Sequence, residues 1–236
     1  MTIAEKLTLI AENQQKVYDA GYEKGKSEGG DTDAAYEQGY ENGLNDGNSL
    51  YYAKNIDGVF NYVTFPENFE FIVKVKSIND IDSAFSSAKN LKSIKLISED
   101  KETLISAQST FRDCKQLETI DITEFSNKFN YIYYFIQDST VKNILGALDV
   151  SRCKSFPNTT FQAETLEHIE FVPNTIYKSI RVSSAKLNEI SKESIINGLA
   201  DLTNSETQTI TLDGVGASLT EEQKARIAAK NWTLAY

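Results

Sequence analysis

The sequence predicts an α/β chain built mainly as a solenoid of leucine-rich repeats with short parallel strands, preceded by an α-helical, coiled-coil-like segment. Three observations lead there. Phe85 to Leu96, FSSAKNLKSIKL, returns as Phe111 to Ile122, FRDCKQLETIDI. Each copy has Phe, a small residue three on (Ala88, Cys114), Leu six on (Leu91, Leu117), then apolar residues at nine and eleven (Ile94 and Leu96, Ile120 and Ile122). The pattern recurs in worn form at Phe135 with Val141 and Ile144, and at Phe161 with Leu166, Ile169 and Phe171. The four units therefore start 26, 24 and 26 residues apart. A period in the twenties around L-x-x-I-x-L marks a stack in which each unit buries its apolar face only against its neighbours. Third, Ile3, Leu7, Ile10, Gln14 and Val17 are spaced 4, 3, 4, 3, a single stripe along a helix at coiled-coil spacing.

The chain divides into residues 1–50, 51–81, 82–182 and 183–236. In the first segment the stripe predicts a helix-to-helix contact, with Gln14 fixing register. From Tyr18 the sequence runs in tetrads such as YDAG, YEKG, YEQG and YENG, with Gly at 21, 25, 29, 39, 43 and 47. Each glycine costs a helix about 1 kcal/mol relative to alanine, so the tetrads are either packed against partners or act as a tether. Asp31, Thr32 and Asp33 can cap a second helix.

Residues 51–81 predict strands from the alternation of Tyr62, Thr64, Phe69, Phe71, Val73 and Val75, with Pro66 holding the first to a turn or edge. They are expected to cap the open end of the first repeat. Within residues 82–182 each Ile94-Lys95-Leu96 type triplet alternates in and out, and the Phe positions fall in the connecting turns. The outward residues are then Ser93 and Lys95, Thr119 and Asp121, His168 and Glu170. Beyond Phe171, Tyr177 to Val182 predicts a strand, and Ser191 predicts the cap of a helix from Lys192 to about Asp201 that buries Ile195, Ile196 and Leu199. QTITL at Gln208 to Leu212 predicts a last repeat strand. Thr220 and Gln223 form a capping box for a helix over Glu221 to Lys230, stopped by Asn231 before a final strand with Trp232 and Leu234.

Composition and motifs narrow the chemistry. A net charge of -10 with no basic run argues against nucleic acid as a partner. The N-terminus carries Glu5 and Glu12 inside its apolar pattern and so predicts no signal peptide, and no stretch approaches the length of a membrane span. Synthesis in the cytoplasm without membrane insertion is expected. Cys114 and Cys153 fall at non-equivalent repeat positions; the first reads as a small core residue, the second as an ordinary thiol. One histidine and two separated cysteines offer no zinc pattern. The glycine tetrads lack the ending of a phosphate loop, and Gly214 and Gly216 in LDGVGASL read as a turn, with no cofactor implied. The 34 acidic residues make pairs such as Asp121 and Glu170 unavoidable, and an open repeat face offers no closed pocket for glycosidase chemistry.

The repeat F-x-x-C-x-x-L-x-x-I-D-I at Phe111 to Ile122 resembles the BspA-type leucine-rich repeats of bacterial surface proteins and of phages and prophages of gut-dwelling Gram-positive bacteria. The opening MTIAEKLTLIAENQQKVYDAGYEKGK is similar to that of phage tail-associated repeat proteins, and residues 191–235 resemble their C-terminal cap. The resemblance implies a non-enzymatic virion component of the tail tip, baseplate or fibre. Its N-terminal segment would attach to other tail proteins and to copies of itself, as a trimer, through Ile3, Leu7, Ile10, Gln14 and Val17. The repeats would face a host-surface glycan or protein, with Lys95, Asp121, His168 and Glu170 as the candidate ligand-facing side chains. No catalytic residue, metal or cofactor is implied. The alternative is a bacterial cell-surface adhesin of the same repeat type, which requires export.

Overall fold

The computed structural model describes residues 49–53, 56–75 and 77–236. The chain forms two compact units, Met1–Tyr52 and Ala53–Tyr236. The expected N-terminal seam and the glycine tetrads lie outside the described residues. Strand β1 (Ser49–Ala53) falls across the unit boundary in sequence.

The second unit is α/β with parallel strands. Its strands are β2 (Thr64–Val75), β3 (Lys89–Ser98), β4 (Ile105–Ser106), β5 (Thr119–Glu124), β6 (Phe129–Tyr131) and β7 (Asn143–Leu148). After these come β8 (Phe161–Gln162), β9 (His168–Phe171), β10 (Ile180–Ser183), β11 (Gln208–Asp213) and β12 (Trp232–Ala235). Two α-helices are described, α1 (Glu189–Gly198) and α2 (Glu221–Ala229). One sheet takes β2, β3, β5, β7 and β9 side by side; a second takes β8, β10, β11 and β12; β4 pairs with β6. All these pairs are parallel. In the first sheet Phe71 lies opposite Ile94, Ile94 opposite Ile120, and Ile120 opposite Ile144, so the apolar member of each triplet meets its counterpart in the next. Leu91, Leu117, Val141 and Leu166, at the entry to each strand, are all fully buried.

The turns between strands are as regular as the strands. In each, an aromatic or aliphatic residue sits midway between two left-handed residues: Phe60 between Gly58 and Tyr62, Phe85 between Ser83 and Ser87, Phe111 between Ser109 and Asp113, Ile136 between Tyr134 and Asp138. Ala84 N–H donates to Ile81 O at 3.2 Å and Ala88 N–H to Phe85 O at 2.9 Å, which makes these type II turns, whose third residue must take φ > 0. The turns stack through their backbones: Phe60 N–H donates to Ala84 O, Phe85 N–H to Thr110 O and Phe111 N–H to Phe135 O, each at 2.9 Å. Their rings stack too. Phe60 and Phe85 lie 5.1 Å apart and Phe85 and Phe111 5.5 Å apart, both pairs at 11°.

This hydrogen-bond register corrects the repeat boundaries read from sequence. In a parallel ladder an N–H bonds to the residue before its partner, so Phe85 pairs with Phe111, Phe111 with Ile136, and Ile136 (N–H to Thr160 O, 3.2 Å) with Phe161. The repeat position is therefore held by Ile136, and the spacing is 26, 25 and 25 residues. Phe135 instead packs edge-on against Phe111 at 5.3 Å. Residues 51–81 also differ from a plain cap, since Phe60 heads a full unit of its own. That unit is hidden because β2 carries an excursion: Thr64 pairs with Lys89 and Phe69 with Leu91, leaving Phe65 to Asn68 against Asn90 alone. Asn90 holds the excursion by donating from Nδ2 to Phe65 O at 3.0 Å.

At the C-terminal end, α1 closes the first sheet against β9, and α2 packs on β12 of the second sheet and on α1. Helix α1 begins at Glu189, three residues before the sequence expectation, and ends at Gly198 instead of near Asp201. Its cap is Asn188, whose Oδ1 accepts from Ser191 N–H at 2.9 Å; this frees the Ser191 side chain, which sequence assigned to capping, for another use. Helix α2 has its capping box: Thr220 Oγ1 accepts from Gln223 N–H at 3.1 Å and Gln223 Oε1 from Thr220 N–H at 2.9 Å. The helices are tied by Arg226 to Glu193 at 2.7 Å and to Asn197 at 2.7 Å. Lys230 Nζ donates to the carbonyls of Ile196 (3.2 Å), Asn197 (3.2 Å) and Leu199 (2.6 Å) around the end of α1, where carbonyls lack intrahelical partners; that of Asn197 also accepts from Asn174 N–H at 3.1 Å. Burial holds the Lys230 ammonium below its ordinary pKa.

Candidate binding site on the strand face and its edge

The outward side chains of the first sheet form two rows. One contains Glu70, Ser93, Thr119, Asn143 and His168, and the other Ile72, Lys95, Asp121 and Leu145, each residue in register with the next. Lys95 and Asp121 are thus neighbours on β3 and β5. Glu170 shares β9 with His168 and pairs with Ala147. Strand β7 separates these two pairs by about 10 Å, two strand spacings, and presents Leu145 and Gly146 between them. Gly146 has φ +103 at the bulge in β7, and a Cβ there would stand 3.1 Å from the Ile122 carbonyl carbon.

Each of the four candidate side chains already has a partner. Lys95 forms an ion pair with Glu124, which raises the Lys95 pKa and lowers that of Glu124 through their shared hydrogen bond. Asp121 Oδ1 accepts from Thr123 N–H at 2.9 Å and from its hydroxyl at 2.6 Å, at the point where β5 shifts register against β3. His168 Nε2 lies 3.0 Å from Glu170 Oε1, and its Nδ1 lies 3.4 Å from Asn188 Nδ2. A ligand on this face would displace existing bonds.

One position earlier in each repeat the situation differs. Lys92, Glu118, Lys142 and Glu167 form a column in which Glu118 N–H donates to Lys92 O (2.8 Å), Lys142 N–H to Glu118 O (2.9 Å) and Glu167 N–H to Lys142 O (2.8 Å). Lys92, Glu118 and Lys142 of this column line a groove of about 600 Å³ across the entry ends of β3, β5 and β7. Glu67 and Asn68, from the β2 excursion, form one end, and Thr165 lies at the other. Asn90, Gln116 and Thr140 line it between these ends. Lys142 pairs with Glu118 at 3.1 Å and Lys115 with Asp113 at 2.8 Å. Among the described residues Glu67, Asn68, Lys92 and Gln116 make no side-chain hydrogen bond or ion pair within the protein. Sequence reading missed this groove because it took as outward only Ser93, Lys95 and their equivalents in the other units. Its signal was the alternation Lys92, Glu118, Lys142 at the position just after the buried Leu91, Leu117 and Val141.

The remaining candidates resolve into packing. Gly214 has φ +81, and a Cβ on it would meet Ala185 Cα at 2.8 Å; one on Gly216 would meet Tyr236 Cβ at 2.5 Å. Both glycines are thus required by close approach of neighbouring chain. Cys114 Sγ donates to Phe85 O at 3.0 Å and Cys153 Sγ to Phe129 O at 3.3 Å. Burial pushes both thiols up to about 12. Because the thiolate is the reactive form, the native protein at pH 8 should leave both cysteines unlabelled by a thiol reagent over hours, and denaturant should release two equivalents at once. Fast labelling of either in the native state would mean that its turn opens. Among the described residues no cluster of three His, Cys, Asp or Glu is arranged to hold a metal, and no helix is long and apolar enough to cross a membrane. Comparison with protein-family models, with curated proteins and with solved structures finds no match to this chain.

Proposed function

We propose that the chain is a structural component of a bacteriophage virion, at the tail tip, baseplate or fibre, in which a leucine-rich-repeat solenoid is displayed to a receptor on the host surface. The N-terminal segment, through Ile3, Leu7, Ile10, Gln14 and Val17, assembles copies into a trimer and attaches them to other tail proteins. In this reading the protein binds and does no chemistry, and neither nucleic acid nor membrane is its partner.

The observation that carries the reading is the backbone-bonded stack of equivalent turns at Phe60, Phe85, Phe111 and Ile136, with one sheet edge closed by α1. A stack whose units each contact only their neighbours is stiff, and it offers a long side surface while its core stays filled. The resemblance of the first 26 residues and of residues 191–235 to tail-associated proteins supplies the setting.

Two measurements test it. Antibody raised against Ala53–Tyr236 should label phage particles at the tail end in immunogold electron microscopy; particles without label, or label on the bacterial wall, would replace this reading with the surface adhesin. In solution, full-length protein should have three times the monomer mass and a chain starting at Ala53 should be monomeric. Equal oligomeric states would remove the role given to the N-terminal segment.

A further inference from the structure

We infer that the groove across the entry ends of β3, β5 and β7 is a binding site for a linear, uncharged saccharide chain of about three sugar units. The inference rests on the receptor-binding reading for its biological meaning and moves the contact from the strand face to its edge.

The first support is which polar groups are free. On the strand face Lys95 is engaged by Glu124, Asp121 by Thr123, and His168 and Glu170 by each other. In the groove, Glu67, Asn68, Lys92 and Gln116 converge from two elements and one turn with no partner of their own. They supply a carboxylate acceptor, two amides that both donate and accept, and an ammonium donor. Vicinal hydroxyls, each a donor and an acceptor, match that mixture; a ligand of one polarity does not.

Charge narrows the class. Three lysines line the groove, but Lys142 is matched by Glu118 and Lys115 by Asp113, and Glu67 adds a further negative group. A phosphate or carboxylate polymer would find one unpaired cation, too little for the clustered Lys and Arg that polyanions require. A peptide is disfavoured as well, since peptide and protein contacts draw on aromatic or large apolar anchors and the groove presents none.

Spacing sets the length. Neighbouring strands lie about 4.8 Å apart, close to the rise of one pyranose unit, so a groove crossing three strands accommodates about three units. The excursion of Phe65 to Asn68 fits the same purpose. It interrupts the repeat at the first full unit and raises Glu67 and Asn68 as an end wall, where an uninterrupted strand would leave the groove open.

The experiment is titration of ¹⁵N-labelled full-length protein with di-, tri-, tetra- and hexasaccharides of four neutral series (cellulose, chitin, xylan and amylose fragments), with poly(glycerol phosphate) as the polyanion. At least one neutral series should shift the amides around Asn90, Gln116 and Thr140, gain affinity up to the tri- or tetrasaccharide and then level off. Gln116→Ala and Asn68→Ala should each weaken it by about tenfold, the loss expected for one hydrogen bond, while Lys95→Ala leaves it unchanged. Both groove residues are exposed, so folding is not at risk. Binding lost with Lys95→Ala and kept with Gln116→Ala would overturn the groove and return the receptor contact to the strand face, leaving the virion reading intact. Stronger binding of poly(glycerol phosphate) than of every neutral series would overturn the uncharged assignment. No shift with any probe would overturn the saccharide site altogether, whereas tail labelling by the antibody decides the virion reading independently.

Discussion

Phe111→Ala is expected to cost about 3–5 kcal/mol of folding stability, the range for truncating a fully buried Phe that leaves a cavity its surroundings cannot collapse into. The ring is fully buried between two others, parallel to Phe85 at 5.5 Å and edge-on to Phe135 at 5.3 Å. Collapse is resisted on the backbone side as well. The Phe111 turn is fixed above and below by bonds to Phe85 and Phe135, and Ser109 and Asp113 hold left-handed angles that allow it little adjustment. For a unit of this size each kcal/mol lowers the midpoint by about 2–4 °C, so thermal unfolding should drop by about 10 °C or more. Tyr131→Ala, which removes a ring at the surface, should change it by less than about 2 °C. A loss at Phe111 no larger than that at Tyr131 would mean that the turn column does not hold the stack together.

The same column shows what the amino-acid pattern could and could not convey. The strand triplets at Ile94 and Ile120 were readable because inward residues alternate at fixed offsets from a buried Leu, and the geometry of a strand allows no other spacing. The Thr220 and Gln223 box was readable because both halves of the motif are local. The Phe60 unit was not, since an excursion of four residues breaks the offset while leaving the fold intact. At Phe135 and Ile136 two adjacent apolar residues are both buried, and only the backbone register decides which one heads the unit. The groove lay beyond reach for another reason: Lys92, Glu118 and Lys142 acquire meaning only as neighbours across three units. Where local offsets fail, at residues 65–68, the chain builds the groove's wall, in keeping with the expectation that departures from pattern gather at functional surfaces.

Ser191 presents the reverse case, a residue whose local role was plausible and whose actual role is long-range. In β9 alternate amides face β7, as His168 N–H does in donating to Lys142 O at 2.9 Å. The amides of Ile169 and Phe171 must then face away, along the open edge of a parallel sheet. There Ser191 Oγ accepts from Ile169 N–H and Ser194 Oγ from Phe171 N–H, both at 2.9 Å. Two serines three apart on one face of α1 thus stand in for the next strand, and they remove an edge on which another chain could pair. Ser191→Ala leaves a buried N–H without a partner and should cost about 1–3 kcal/mol, with Ser194→Ala adding less because Ser194 is half-buried. The double variant should lose more than either, without strict additivity, since the two bonds share one helix and one strand. Stability alone would not separate this role from ordinary packing, so the deciding measurement is amide hydrogen exchange. Ile169 and Phe171 should lose protection by a larger factor than His168 and Glu170 on the same strand. The freed edge should also make the double variant self-associate with rising concentration, while Ser191→Thr, which keeps the hydroxyl, should retain protection at Ile169. Uniform loss of protection along β9 would show instead that α1 merely covers the sheet, and that the two hydroxyls do not replace a strand.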